Sequence, residues 1–146
     1  MKKRIQRLQP IVELSQRHEK TELQHMARIQ QLIRADEEKL AELNGYRQDY
    51  HIRLKQITEE PISMLTVQNY QGFLSQLDAA IDQQQNILDQ RSTVLEEQRQ
   101  RYIKATQRAT ALSSLQDKFR KNMQLAANRQ EQKESDERNL TVRSFE

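Results

Sequence analysis

Residues 74–112 read LSQLDAAIDQQQNILDQRSTVLEEQRQRYIKATQRATAL. Leu74, Ile81, Leu88, Leu95, Tyr102 and Ala109 recur every seven residues without an exception, and Leu77, Gln84, Arg91, Gln98, Ala105 and Leu112 form a companion track. Two interleaved rows at this spacing put one side of a helix against a neighbouring helix, the seam of a coiled coil. Towards the C-terminus Leu115, Phe119 and Met123 carry the apolar face further, until the nearly all-polar run from Asn128 to Glu137 predicts a frayed end and a loose tail.

On the N-terminal side the helix is expected to begin after a break at Thr58-Glu59-Glu60-Pro61-Ile62-Ser63-Met64-Leu65-Thr66. Pro61 lacks a backbone donor and pushes Glu60 out of the helical region, and Thr66 is a candidate cap. Before the break lies a second seam. Met26, Ile29, Ile33, Asp36, Leu40, Leu43, Arg47, Tyr50, Leu54 and Ile57 step by threes and fours, with only Asp36 and Arg47 polar. The same register runs back through Glu22, Glu19 and Ser15 to Val12, Leu8 and Ile5, so the seam weakens around residues 15–22. Pro10 suits a first helical turn or a kinked entry.

Two heptad helices on a short link fold back on each other, because closing a loop within one chain costs less than association between chains. The expected fold is all-α, an antiparallel two-helix coiled-coil hairpin in the form of an elongated rod. It is a single domain over 1–146, with helix one about 4–58, a loop about 59–66, helix two about 67–130 and a flexible tail about 131–146. Folding about Ile62 and Ser63 pairs Tyr50 with Leu77, Leu40 with Ile87 and Ile33 with Val94.

The composition agrees. Only 35% of the residues are hydrophobic, 31% are charged, and Gly and Pro occur twice each, so the chain has few turns and too little apolar mass for a globular core. The 22 glutamines add to a helix-forming background. With no Cys there is neither a disulfide nor a thiolate metal site. Basic and acidic side chains number 12 and 10 in residues 1–60, and 12 and 11 in 61–146; this mixture suits a solvated coiled-coil exterior better than a nucleic-acid footprint.

His18, His25 and His51 have no partners spaced to close a metal site, and no nucleophile–base pair or phosphate-binding loop stands out. No enzyme, cofactor or metal is therefore expected. The basic residues at Lys2, Lys3, Arg4 and at Lys118, Arg120, Lys121 read either as solvated charge or as a docking end. Phe73, Ala80, Ile87 and Val94 run beside the helix-two seam and make its apolar stripe wider than a two-stranded contact needs. That width serves either a further layer of helices or a partner protein.

Gly45-Tyr46-Arg47-Gln48-Asp49-Tyr50, then Asn69-Tyr70-Gln71-Gly72-Phe73 with Leu77, Ala80 and Ile81, and the run Leu125 to Lys133 continuing to Asp136-Glu137, resemble the FliJ family in order and spacing. Length, glutamine content and two-helix organisation agree along nearly the whole chain. The resemblance implies a non-enzymatic stalk, similar to the shaft of rotary ATPases, in the flagellar type III protein export apparatus. It would link the hexameric export ATPase to the gate protein FlhA and escort export chaperones. The implied location is cytoplasmic, at the inner face of the membrane through partners. The family's gate-binding patch would map to Leu43, Tyr46, Tyr50, Phe73, Leu77 and Ala80, flanked by Lys39 and Gln84, where this chain departs from the family pattern. The shaft likeness would place the ATPase ring at Lys2, Lys3, Arg4, Lys118, Arg120 and Lys121. The equivalent stalk of a virulence secretion system and a generic coiled-coil scaffold are the alternatives.

Overall fold

The computed structural model describes residues 2–58 and 63–144. The linking residues 59–62, with the expected break at Pro61, lie outside the described residues. These comprise two helices and no strand: α1, Lys2–Thr58, and α2, Met64–Ser144. Packed against each other they make the all-α two-helix hairpin. Contacts along the chain fall into two units, Met1–Leu23 with Arg101–Glu146, and Gln24–Gln100; both helices contribute to each.

The start of α2 differs from the sequence expectation. Ser63, not Thr66, is the cap: its Oγ accepts the Thr66 amide at 3.2 Å, and its carbonyl accepts the same amide at 3.1 Å. Thr66 stands three residues inside, where its hydroxyl meets the Ser63 hydroxyl at 3.0 Å. A short oxygen one position before the first helical residue satisfies an amide that the helix itself leaves open. Pro10 departs from the first of its two expected settings, the opening helical turn. It lies in the interior of α1, beyond the first turn, and is exposed.

In the unit Gln24–Gln100, Leu74, Leu77 and Leu88 are buried and face the row from Met26 to Ile57, which is half-buried except at Arg47. Across this seam Asp36 pairs with Arg91, Arg47 Nε lies 3.1 Å from Asp78 Oδ1, and the Gln84 amide donates to the Asp36 carbonyl at 3.0 Å. Residue numbers rise on one helix as they fall on the other, so the helices are antiparallel. The ring of Tyr50 lies against Phe73 at 4.5 Å and Tyr70 at 6.0 Å, a turn nearer the link than Leu77, the partner its spacing suggests.

In the other unit Val12, Ala105 and Ala109 are the buried apolar residues. The Ser15 hydroxyl turns back to the Val12 carbonyl at 2.7 Å, which lets a polar residue occupy a buried position. Gln116 donates to Gln9 across the seam at 2.6 Å. Gln116, rather than the more apolar Leu115, therefore continues the inward track, and Leu115 and Met123 are exposed. The expected loose tail is helical: α2 runs to Ser144, although every side chain from Lys121 to Ser144 is exposed. Bonds one turn apart, Gln130 to Glu134 and Gln132 to Asp136, support a helix that no neighbour covers.

Polar layers are as deeply placed as the apolar ones. Gln84, Gln116 and Gln98 are 3%, 4% and 5% exposed, against 6–8% for Leu74, Leu77 and Leu88. Polar side chains at seam positions select one register and reduce stability relative to an all-leucine seam. Specificity of pairing is what these layers contribute.

Candidate protein-interaction surface

A two-stranded seam consumes two tracks per helix and leaves the rows on either side to solvent. In the unit Gln24–Gln100 those flanking rows differ in chemistry. One side carries Phe73, Ala80, Ile87 and Val94 from α2, and from α1 Leu32 and Tyr46 alternating with His25, Lys39 and Arg53. The other carries Gln30, Glu37, Asn44 and His51, with Asp78, Gln85, Ser92 and Arg99. On the first side the α2 row is thus apolar and the α1 row alternates apolar with basic residues, whereas the other side is polar on both helices. On the first side Leu32, Tyr46, Phe73 and Val94 are each 41–54% exposed, while Ala80 and Ile87 are half-buried.

The aromatic end of this stripe is a built cluster. Tyr50 faces inward far enough to be half-buried, and its ring supports Phe73 and Tyr70 on one side. The Arg53 guanidinium lies 5.5 Å from the Tyr50 ring centre. Tilted rings at these separations hold one another in place, and the cation adds to this. Tyr46, one turn before Tyr50, makes no ring contact among the described residues and stands 54% exposed.

Of the six residues expected to form the patch, Tyr46 and Phe73 present their side chains to solvent. Leu43, Tyr50 and Ala80 are half-buried at its border. Leu77 is 8% exposed and belongs to the seam. Lys39 is exposed, but Gln84, expected to flank the patch, is buried and spends its amide on Asp36. Leu32 escaped the sequence reading. The signal was its position fourteen residues before Tyr46, which puts both in one heptad row.

Lys2, Lys3, Arg4, Lys118, Arg120 and Lys121 are all exposed and all belong to the same unit. The bond between Gln9 and Gln116 brings the Lys118–Lys121 stretch beside the first turns of α1. Arg120 also meets Asp117 on its own helix at 3.9 Å. His18, His25 and His51 are exposed, with His18 3.9 Å from Glu22. No helix among the described residues is long and apolar enough to cross a membrane.

A family model described as Flagellar FliJ protein matches residues 3–145. Neither the curated proteins nor the solved structures yield a match. With two helices packed along a heptad seam and a family match over nearly its whole length, the chain belongs to the FliJ family, a component of the flagellar export apparatus rather than a family of enzymes.

Proposed function

We propose that this chain is the non-enzymatic coupling subunit of the flagellar type III export apparatus, joining the export ATPase ring to the gate protein FlhA and escorting export chaperones. The observation that carries this reading is the exposed pair Tyr46 and Phe73 at the end of the apolar α2 row, bordered by Lys39 and Arg53, in a unit whose opposite side is polar. Exposed aromatic side chains on a rigid support supply much of the binding energy of protein interfaces. The basic residues fall in the other unit. One chain thereby offers two chemically different surfaces, apolar for the gate and cationic for the ATPase ring. This work takes place on the cytoplasmic side of the inner membrane, with attachment through partners.

Tyr46→Ala tests the proposal. The side chain is off the seam, so far-UV circular dichroism and ATPase binding stay unchanged. Affinity for purified gate protein, measured by calorimetry, falls by about 2 kcal/mol, and export slows. Normal gate affinity in Tyr46→Ala, or lost helicity, refutes the patch.

A further inference from the structure

The unit Met1–Leu23 with Arg101–Glu146 contains an open groove of about 720 Å³ that no proposed role has used. Its α1 wall presents Ile11 and Leu14, 44% and 66% exposed and three residues apart, and continues through His18 to Glu22. Its α2 wall presents Arg101, Lys104 and Arg108, spaced by three and four, with Ala105 at the floor. Ser15 and Ala105, the buried residues that line it, are small, and Ile11 and Leu14 are left beside them without cover. None of the three cations has a carboxylate partner among the described residues. The one lining carboxylate, Glu22, is half-buried and close to His18.

We infer that this groove docks an acidic amphipathic helix from a partner protein. Two parallel rows at three–four spacing on adjacent helices form the seat that a third helix fills, its ridge lying in the groove between them. The unlike walls then dictate the occupant's chemistry. An aliphatic row must meet Ile11 and Leu14, and carboxylates on the flank of that row must meet Arg101, Lys104 and Arg108. A bilayer demands a broad apolar face and not a cleft with a single aliphatic wall. A nucleic acid would gain nothing from that aliphatic wall. The helix-in-groove mode uses both walls.

The test uses the full chain and a designed helical peptide with leucines at i, i+3 and i+7 and glutamates flanking them, followed by fluorescence anisotropy. Saturable binding is expected, weakening as salt is raised. Leu14→Ser, and separately Lys104→Glu with Arg108→Glu, each weaken it about tenfold. These side chains are exposed, so circular dichroism of the variants matches that of the parent. A peptide with serines in place of its leucines fails to bind. The inference is overturned if a lysine-flanked peptide binds as well as the glutamate-flanked one, or if Leu14→Ser binds normally. It is also overturned if the groove residues instead govern binding to anionic phospholipid vesicles, or a self-association that excludes the peptide. Tyr46→Ala leaves peptide binding intact, so this inference stands or falls independently of the gate patch.

Discussion

Replacing Asp36 and Arg91, singly and together, separates what the half-buried ion pair does for stability from what it does for pairing. The Arg91 side chain is 35% exposed and the Asp36 side chain only 17%. Removing one partner therefore strands the other in unequal surroundings. In Arg91→Leu the carboxylate is left largely covered, at a cost of about 2–3 kcal/mol, less than for a fully buried pair because some water still reaches it. In Asp36→Leu the guanidinium lies on a long stem that can turn its charge outward, and the loss is about 1 kcal/mol. The Gln84 bond survives both changes, since it goes to the Asp36 backbone carbonyl. The double variant places two leucines in the seam and returns to within about 1 kcal/mol of the parent, or above it. Urea denaturation followed by far-UV circular dichroism measures all four proteins, and the double-mutant cycle isolates the coupling. An Asp36→Leu loss equal to or greater than that of Arg91→Leu would refute the exposure argument. A double variant no better than the sum of the singles would refute the pairing.

Ile81→Asp puts a carboxylate on the uninterrupted heptad track, where the side chain is half-buried, and costs about 2–3 kcal/mol; an unchanged melting temperature would mean that Ile81 faces water. Gly45→Ala moves stability the other way, by about 0.5–1 kcal/mol, because an added Cβ there meets nothing within 4 Å; a lower melting temperature would show that the glycine is needed for its shape. Charge reversal at Lys2, Lys3, Arg4, Lys118, Arg120 and Lys121 weakens binding to the export ATPase and flattens its salt dependence, measured by co-sedimentation across a salt series. Undiminished binding would remove the basic residues from that interface.

Which residues face inward was legible in the sequence. Every position on the helix-one track from Ile5 to Ile57 is buried or half-buried except Arg47, including Ser15, Glu19 and Glu22, where the seam is chemically weak. All twelve track residues of helix two from Leu74 to Leu112 are covered as well. Facing is a local property: it follows from helical period alone, and the sequence carries that period residue by residue. Tertiary structure decided what periodicity leaves open. A heptad pattern looks the same after a shift of three or four residues, so it could not say that Asp36 meets Arg91 while Arg47 meets Asp78. Nor could hydrophobicity choose Gln116 over Leu115, because that choice depends on Gln9 waiting across the seam. The same holds for the surfaces. Tyr46 could be placed off the seam, and Leu77 and Gln84 on it, from their numbers, whereas the groove beside Ala105 depends on how closely the two helices approach. That distance is set by the sizes of side chains on both helices together, a quantity that neither helix encodes by itself.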